Sequence, residues 1–578
     1  MIDFTSTTKK IYRKWTTKEG LLGDFDYAYL FVPEIPFLSK EPKTQPFFGL
    51  NSNMPLILGA LLGLQHCLAM IGGLVTVPRI IATSANLTSE DQTYLISTAL
   101  LVGGILSCIQ ISRFHIWKTR YYFGSGILTV VGPSFATLPV TSQSFPLMYK
   151  TGVCPVAEDG TFLPCPDGYG KILGTGIVCG LLEIVLSFLP PLVLQKIFPP
   201  IVTGPVVLLI GAHLVKDGFN DWLGGAACLG ETCHIGDFSN PWGSANFIGL
   251  GFLVYVTIIL SEKFGSPIMK SCAVIIGMLV GSIVAAACGS GYFDSTKITE
   301  AKVVSFIWVK TFKLGIYGPA VLPFLAVYVV LMMEAIGDIT ATSDASRLEV
   351  VGELYESRIQ GGVLADGLNG ILAGLMTITP MSIFAENVGL VANTKCANRR
   401  AGLWCAFFLI IMGIFSKFAG AILSIPNPVF GAVTSFLFCS VAISGIKIIS
   451  SIPFTRRDRF ILTASLLPGL GASLVPSWFD NFFTYSGNNN SLSGFLNAIT
   501  LIMDSGFAIT GFIGIILNLL IPQIEDEVEE INELVLESVG STDQHAREEF
   551  MKKEGMSSAK KIDIGIVRTI DNGLDDLV

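Results

Sequence analysis

The chain has 578 residues, of which 51% are hydrophobic and only 14% are charged, and its mean hydropathy is +0.62. Soluble globular proteins carry roughly 25% charged residues, so this composition excludes an ordinary soluble domain and indicates a membrane protein. The formal net charge of −8 arises mainly in the two tails and gives no reason to expect nucleic-acid binding.

The first 53 positions are polar, and no short apolar run with a small-residue cleavage site follows the start, so we expect no cleaved signal peptide. From Pro55 to Ile521 the chain consists mostly of apolar runs of about 17–22 residues, the length that crosses a hydrocarbon core. These runs predict an all-α polytopic membrane protein with fourteen transmembrane segments, at 54–76, 93–112, 125–142, 172–189, 200–216, 245–261, 269–289, 318–339, 360–376, 378–394, 401–423, 428–448, 460–476 and 496–521.

The third and tenth of these segments are short and interrupted. Each contains a β-branched stretch, a proline, and then Ser and Phe, with the prolines at Pro133 and Pro380. A broken backbone is tolerated at membrane depth only where it is buried in protein or lines a cavity, and a pair of such breaks in corresponding places indicates the substrate site of a secondary transporter. Because each break is third in a group of seven, we expect two inverted repeats. The alternative is a pair of unrelated kinked helices.

The charges of the loops predict the topology, and the cysteines are placed on it. The predicted inner loops contain fifteen Lys and Arg residues and the outer loops eight, which predicts that both termini are cytoplasmic. Two cysteine pairs, Cys154/Cys165 and Cys228/Cys233, fall in predicted outer loops, where one or two disulfides are expected with the connectivity left open. Sequons at Asn86 and Asn489 also lie in predicted outer loops.

Ionisable residues inside the predicted spans are few, and such residues are functional by default. Glu334 and Asp338 are spaced i, i+4, so they share one helix face, and two carboxylates close together in a dry site cannot readily both ionise. A proton-carrying site is therefore a reasonable interpretation; the alternative is that the acids only hold helices together through hydrogen bonds. His66 is interpreted as a structural histidine, and three further groups as structural pairs: Glu183, His213 and Asp504.

The interrupted segments offer three kinds of binding group. Half-helix N-termini present free N–H groups and a positive dipole end. Phe135 follows the first break and supplies an aromatic face, while Glu386 and Asn387 follow the second with a carboxylate and an amide. Together these groups suit a small planar heterocyclic base, although a polyol or ascorbate could use them too. No nucleophile–base constellation, phosphate loop or metal-ligand spacing predicts an enzyme.

The motif Glu386-Asn387-Val-Gly389-Leu-Val-Ala-Asn-Thr394-Lys395 resembles the signature of the nucleobase–ascorbate transporter family, and Gln65-His66 resembles the pair in its first helix. The resemblance extends over most of the chain and is closest to fungal members that carry xanthine and uric acid. It implies a homodimer with elevator-type movement. It also implies cytoplasmic tails at 1–53 and 523–578, a core domain at 54–190 and 318–424, and a scaffold domain at 191–317 and 425–522.

The same resemblance implies roles for individual residues. The substrate would be bound by Glu334, Glu386, Asn387, Phe135, Ala385 and Ser134. Proton coupling and site geometry would depend on Asp338, Asp366, His66 and Gln65. Selectivity and transport would depend on Gly389, Thr394, Lys395, Phe507 and Arg459. No metal or catalytic residue is implied, and the coupling ion would be the proton.

The expected function is a proton-coupled plasma-membrane permease for purines, with xanthine favoured over uric acid and uracil. Position 386 is Glu where the fungal xanthine and uric acid members have Gln, and an ionised carboxylate only accepts hydrogen bonds. A uracil or other nucleobase symporter is therefore an alternative. A passive channel and a nutrient sensor with little transport are alternatives of other classes. Sodium-coupled ascorbate members have Pro at this position, which counts against ascorbate.

Overall fold

The computed structural model describes residues 16–33, 46–158, 160–190, 198–225, 228, 230, 232–235, 238–288, 293–350, 352–475, 478–479, 481–483 and 490–522. Helices dominate this part of the chain. The helices of the first half are α1 (Lys18–Leu21), α2 (Tyr27–Phe31), α3 (Leu56–Ser84), α4 (Ser89–Ile111), α5 (Thr137–Lys150), α6 (Pro166–Leu186), α7 (Pro200–Trp222), α8 (Ala245–Phe264), α9 (Pro267–Ser271), α10 (Ala273–Cys288) and α11 (Thr296–Glu300).

The second half continues with α12 (Gly318–Ala345), α13 (Glu353–Leu375), α14 (Glu386–Thr394), α15 (Arg399–Ile414), α16 (Ser416–Leu423), α17 (Asn427–Ser450), α18 (Arg456–Leu474), α19 (Asn490–Asp504) and α20 (Gly506–Leu520). Six short strands form three antiparallel pairs: β1 (Phe114–His115) with β2 (Tyr122–Phe123), β3 (Val131–Pro133) with β6 (Met381–Ile383), and β4 (Thr232–Ile235) with β5 (Phe238–Pro241).

Among the described residues, seven helices are long and apolar enough to cross a membrane, or up to nine if each of two bent pairs counts as one span. The predicted total of fourteen and the inverted repeats therefore remain predictions. Three predicted segments are broken in the structure: 269–289 into α9 and α10, 401–423 into α15 and α16, and 496–521 into α19 and α20. The last two breaks bend the chain by 79° and 91°.

Local sequence explains where several helices begin. α6 and α7 start at Pro166 and Pro200, and proline suits the first turn because that position needs no N–H donor. α18 starts with a capping box in which Thr455 and Asp458 bond each other's backbone N–H groups. α4 is capped by Thr88, whose hydroxyl accepts from the backbone N–H of Asp91.

Glycines set the close packing of α7 against α17. A Cβ on Gly211 would collide with the backbone of Ala442, and one on Gly445 would collide with the backbone of Leu208. Small residues that let helix backbones approach closely are typical of membrane interfaces, where lipid supplies no hydrophobic drive between helices. The absence of a side chain at Gly211 and Gly445 therefore allows α7 and α17 to pack this closely.

The predicted outer-loop cysteines form two disulfides, Cys154–Cys165 and Cys228–Cys233. Asn86, the first sequon residue, donates its side-chain amide to the carbonyl of Phe162. The second sequon residue, Asn489, and the predicted C-terminal tail lie outside the described residues. In the N-terminal region, Phe48 exchanges two backbone hydrogen bonds with the loop that follows α14, to the carbonyl of Lys395 and from the N–H of Ala397, each 2.9 Å long.

Candidate functional site

The two interrupted segments meet and bond to each other. Val131 pairs with Ile383, and Gly132 with Ser382, in the antiparallel pair of β3 and β6. The chain is extended here because β-branched residues favour extended backbone and because a proline disfavours the helical conformation of the residue before it. Immediately beyond the strands, α5 and α14 begin without a side-chain cap. The N-termini of α5 and α14, both without a side-chain cap, therefore begin at the strand pair of β3 and β6.

Three phenylalanine rings lie beside these helix starts. Phe135 stacks on Phe384 with ring centroids 6.1 Å apart and an interplanar angle of 14°. Phe438 of α17 meets Phe135 edge-on, at 5.5 Å and 88°. Gly73 and Gly132 leave room for the Phe384 ring, since a Cβ on Gly73 would lie 3.1 Å from that ring and one on Gly132 only 2.6 Å from its Cε2. The aromatic surface thus draws on both interrupted segments and on α17.

Four carboxylates gather at the same place. Glu334 lies within electrostatic range of Asp366 and Glu386, and Asp338 lies within range of all three. Glu334, Asp338 and Glu386 are partly exposed, and the part of the chain that the structure describes gives their carboxylates no Lys or Arg partner. Open space adjoins them within the described chain, because a Cβ built on Gly337 or Gly389 meets no atom within 4 Å beyond its own stretch of helix.

Asp366 is the buried member of this group, with 1% of its surface exposed. Its Oδ2 accepts from the hydroxyl of Ser382 at 2.7 Å, and its Oδ1 accepts from the backbone N–H of Ile383 at 3.1 Å. Both donors belong to β6. Asp366 therefore fastens the second interrupted segment to α13, and charge-assisted bonds of this kind are stronger than neutral ones.

His66 and Asn387 form a second buried connection. The side-chain oxygen of Asn387 lies 3.0 Å from Nδ1 of His66, and its side-chain nitrogen donates to the carbonyl of Leu128 at 2.6 Å. Since the Asn387 oxygen can only accept, His66 donates from Nδ1 in this contact. The pair joins α3, the approach to β3, and the start of α14. The role of His66 in fixing the geometry of the interrupted segments stays a prediction.

Comparison with known proteins identifies the family. A family model described as "Permease family" matches residues 59–478. The chain is 56% identical over 541 residues to a purine permease of Emericella nidulans, covering 92% of this chain and 93% of the relative. It is 55% identical over 547 residues to the uric acid–xanthine permease of the same fungus, covering 94% of each. The chain belongs to the nucleobase–ascorbate transporter family.

More distant similarity agrees with this assignment. Xanthine permease XanP of Escherichia coli is 30% identical over 500 residues, which cover 84% of this permease and 96% of the bacterial protein. The inward-facing murine Solute Carrier 26 family member A9 anion transporter is similar in fold, with a TM-score of 0.52 at 12% sequence identity. That match covers 89% of this permease and 76% of the transporter. At such low identity the likeness concerns the fold alone.

Several predicted residues of the permease lie at the strand pair, but others do not. Ser134 uses its hydroxyl to accept from the backbone N–H of Ala136. Ala385 is exposed at the start of α14. Gln65 bonds a different part of the chain, because its side-chain amide donates to the hydroxyl of Ser271 in α9 at 2.6 Å. Gln65 therefore connects α3 to α9 and makes no hydrogen bond to the interrupted segments.

The residues predicted for selectivity are dispersed. Thr394 bonds the carbonyl of Leu390 within α14, and exposed Lys395 ends that helix in a left-handed conformation. Arg459 is exposed and donates to the carbonyl of Phe454 beside the start of α18. Phe507 is buried at the start of α20, in the same hydrophobic cluster as Phe135. Phe507 thus belongs to the same apolar cluster as Phe135, whereas Arg459 lies at the exposed start of α18.

Sequence reasoning did not single out Phe384, Phe438, Ser382 or the Glu183–Asp366 contact as parts of the site. The matching order of the two breaks pointed to Phe384 and Ser382, because Pro-Ser-Phe at 133–135 corresponds to Pro-Met-Ser-Ile-Phe at 380–384. Nothing in the sequence marks Phe438 among the apolar residues of its helix. Within the described ranges, no group of three or more His, Cys, Asp or Glu side chains is arranged to hold a metal ion.

Proposed function

We propose that the chain is a proton-coupled purine permease that imports xanthine or uric acid across the plasma membrane, with both termini cytoplasmic. The observation that carries this proposal is the joining of the two interrupted segments, with aromatic rings and four carboxylates around two uncapped helix starts. A planar base can stack on the aromatic surface and donate its ring N–H groups to carboxylates. The names of the fungal and bacterial relatives support the same substrate class.

The proposed roles follow from position. Glu334 would be the principal substrate ligand, and Glu386 would read the edge of the ring while Phe135 stacks on its face. Asn387 is also predicted to read that edge, but its buried side chain bonds His66 and Leu128 through both polar atoms, so its proposed role is to hold the start of α14. Asp338 and Asp366 would support coupling and geometry. Because the carboxylates have no cationic partner among the described residues, a proton is the simplest way to reduce their mutual repulsion. Substrate and proton would then stabilise the same conformation, which is the requirement for coupling.

The proposed movement is of the elevator type, with a core domain at 54–190 and 318–424 that moves against a scaffold at 191–317 and 425–522. A homodimer would hold the scaffold still. Support comes from the way β3 and β6 bind the two interrupted segments into one unit within the proposed core. The aromatic edge contact of Phe438 with Phe135 would then lie on the sliding boundary.

The experiment is uptake of labelled xanthine in a purine-transport-null fungal cell that expresses the chain. Unlabelled urate, uracil, hypoxanthine and ascorbate serve as competitors, with and without an uncoupler. Saturable uptake that is competed by urate and lost with the uncoupler supports the proposal. Uptake indifferent to external pH and uncoupler overturns the coupling. Surface expression without uptake of any competitor overturns transport and points to a sensor.

Glu386 favours a second candidate, a uracil or other nucleobase symporter. This acid is the first residue of α14, where an ionised carboxylate accepts N–H donors and repels carbonyl oxygens and anions. We expect Glu386→Gln to improve competition by urate relative to uracil by roughly 5- to 150-fold, the equivalent of about 1–3 kcal/mol for one mismatched buried polar contact. Glu262→Gln, at an exposed position of α8, is the control. An unchanged urate-to-uracil ratio contradicts the assigned role of Glu386.

A further inference from the structure

A second buried acid, Glu183, lies on α6 beside Asp366. Only 1% of its surface is exposed, and its side chain packs on the backbone of α13, since a Cβ on Gly367 would lie 3.1 Å from Glu183 Cγ. Its carboxyl group interacts with that of the adjacent Asp366. Neither carboxyl oxygen of Glu183 meets a hydrogen-bond donor among the described residues.

The described groups around Glu183 carry no positive charge. Asp366 faces it from α13 and Tyr328 faces it from α12, while Cys179 lies near Tyr328 on the same helix as Glu183. The Tyr328 hydroxyl is itself buried without a partner in the described chain, between α6 and α13, 3.0 Å from Cβ positions built on Gly180 and Gly370. Within that part of the chain, no Lys, Arg or His interacts with Glu183.

Two buried carboxylates without a counter-charge are strongly disfavoured, so this pair must hold a proton. The hydrogen bonds indicate where it resides. Asp366 accepts from Ser382 and from the N–H of Ile383, an arrangement that favours its ionised form. Glu183 has no such donors among the described residues and lies against another acid, an arrangement that favours its neutral form. A protonated Glu183 can donate its O–H to Asp366.

We propose that Glu183 holds a proton, donates a hydrogen bond to the Asp366 carboxylate, and thereby positions Asp366 and strand β6. Glu183 is a positioning residue, because it touches the proposed substrate site only through Asp366. The proposal rests on the proposed proton-coupled transport. Loss of the proton would place a second negative charge against Asp366 and weaken its hold on β6, so transport should decline at alkaline pH through this pair.

Two variants and a control test the proposal. Glu183→Gln keeps a neutral donor of the same shape that cannot titrate, whereas Glu183→Leu removes the donor. Glu262→Gln removes one acid at an exposed position of α8 and is the matched control. Initial uptake of xanthine is measured against external pH, with each value divided by the amount of fluorescently tagged chain at the cell surface.

We expect Glu183→Gln to keep uptake within about threefold of the unaltered chain at acidic pH and to show a smaller alkaline decline, the remainder being that of the proposed proton coupling. Glu183→Leu should lower uptake by about tenfold or more at every pH. A Glu183→Gln profile that keeps the alkaline decline of the unaltered chain overturns the proposal, even if Glu183→Leu fails to fold. So does a Glu183→Leu chain that keeps both the rate and the profile.

An infrared measurement separates this proposal from the proposed function. A protonated carboxylic acid has a carbonyl stretch distinct from that of a carboxylate, and purified protein near neutral pH should lose one such band in Glu183→Gln but not in Glu262→Gln. If the unaltered chain shows uptake without pH or uncoupler dependence, proton coupling fails while the band still tests Glu183. If no band is lost, the proton is not on Glu183 and the inference fails, whatever transport shows.

Discussion

Gly132 is the position where one methyl group should disturb the site most directly. It lies in β3, opposite Ser382 of β6, and its backbone has no positive φ that would exclude alanine. In Gly132→Ala the new Cβ would lie 2.6 Å from Cε2 of Phe384 and 2.9 Å from Cδ2 of Leu74, and closer still to Cζ of Phe384. Real Cβ atoms do not approach carbon so closely, so the ring must move.

The ring has little freedom to move. Gly73 on α3 borders it on one side, with a Cβ position 3.1 Å from its atoms, and Phe135 stacks on it. Overpacking of a filled interior costs about 1–3 kcal/mol, which corresponds to roughly 5- to 150-fold in an equilibrium constant. We therefore expect Gly132→Ala to raise the KM for xanthine or lower the rate of uptake by a factor in that range.

The assay is a double-mutant cycle with Phe384→Leu. A smaller side chain at 384 relieves the crowding, so the double variant should transport better than the product of the single effects, with a coupling of about 1–3 kcal/mol. Phe384→Leu alone should lose the ring contact with Phe135, about 0.5–1.5 kcal/mol, together with the packing of the removed ring atoms beside Gly73 and Gly132. Gly249→Ala is the control, because α8 leaves open space around its Cβ position.

Two outcomes would refute this reasoning. Uptake by Gly132→Ala that equals that of Gly249→Ala at matched surface amounts would mean that the Phe384 ring is not confined as the distances require. Strict additivity in the cycle would mean that the alanine acts elsewhere, for example through Leu74, the other neighbour of its Cβ position. Thermal unfolding of purified protein separates loss of function from loss of stability.

Two further predictions concern buried contacts. Asn387→Ala leaves the carbonyl of Leu128 and the ring of His66 unpaired, at roughly 1–3 kcal/mol each. Uptake should fall by more than about tenfold with a lower Tm, and an unchanged Tm would contradict the role of this contact. Replacement of both Cys154 and Cys165 by Ser opens a disulfide of sequence separation 11 and should lower stability by about 3 kcal/mol. Reductant should destabilise the parent protein more than this double variant. An equal effect on both would contradict the predicted contribution of this disulfide.

Much of the fold could be predicted from apolar run lengths, but the breaks could not all be seen. The breaks at Pro133 and Pro380 carry proline and β-branched residues, so they were predicted. The bends at Phe415 and Ser505 have no proline, and each has only one charged neighbour, Lys417 or Asp504, within otherwise largely apolar sequence. Hydropathy reports whether a segment prefers lipid and carries no information on where tertiary contacts turn the chain.

The site shows the same division between local and non-local information. His66 and the acids could be proposed because ionisable groups are costly in a membrane span and therefore conspicuous. The contact of Glu183 with Asp366 brings together residues from two helices, so no local pattern predicts it. Phe438 cannot be singled out from the sequence, because phenylalanine is ordinary in an apolar helix, whereas Phe384 corresponds to Phe135 in the matching order of the two breaks. Only the strand register and helix packing give these rings a place beside Phe135.

The described hydrogen bonds of strands β3 and β6 run within one group of helices. β3 and β6 bond each other, the hydroxyl of Ser107 in α4 accepts from the N–H of Val131 at 2.9 Å, and Asp366 of α13 accepts from the N–H of Ile383. To pull any of these partners apart would leave a buried polar group unpaired, at about 1–3 kcal/mol each. These elements therefore form a unit that resists separation.

The contact of the same site with α17 is of a different kind. Phe438 meets Phe135 through an aromatic edge, which depends on apolar contact and directs no hydrogen bond across the boundary. Apolar surfaces can slide and repack without orphaning polar groups, whereas the paired strands cannot. A change of conformation should then displace α17 relative to the site more readily than it separates the two half-helices. Elsewhere the proposed core and scaffold are joined by polar contacts, since Arg79 of α3 donates to Asn427 at the start of α17 at 3.1 Å and Gln143 of α5 accepts from the hydroxyl of Ser505 at 2.7 Å. The proposed movement would have to break or exchange these bonds, whereas the aromatic edge contact at the site could slide.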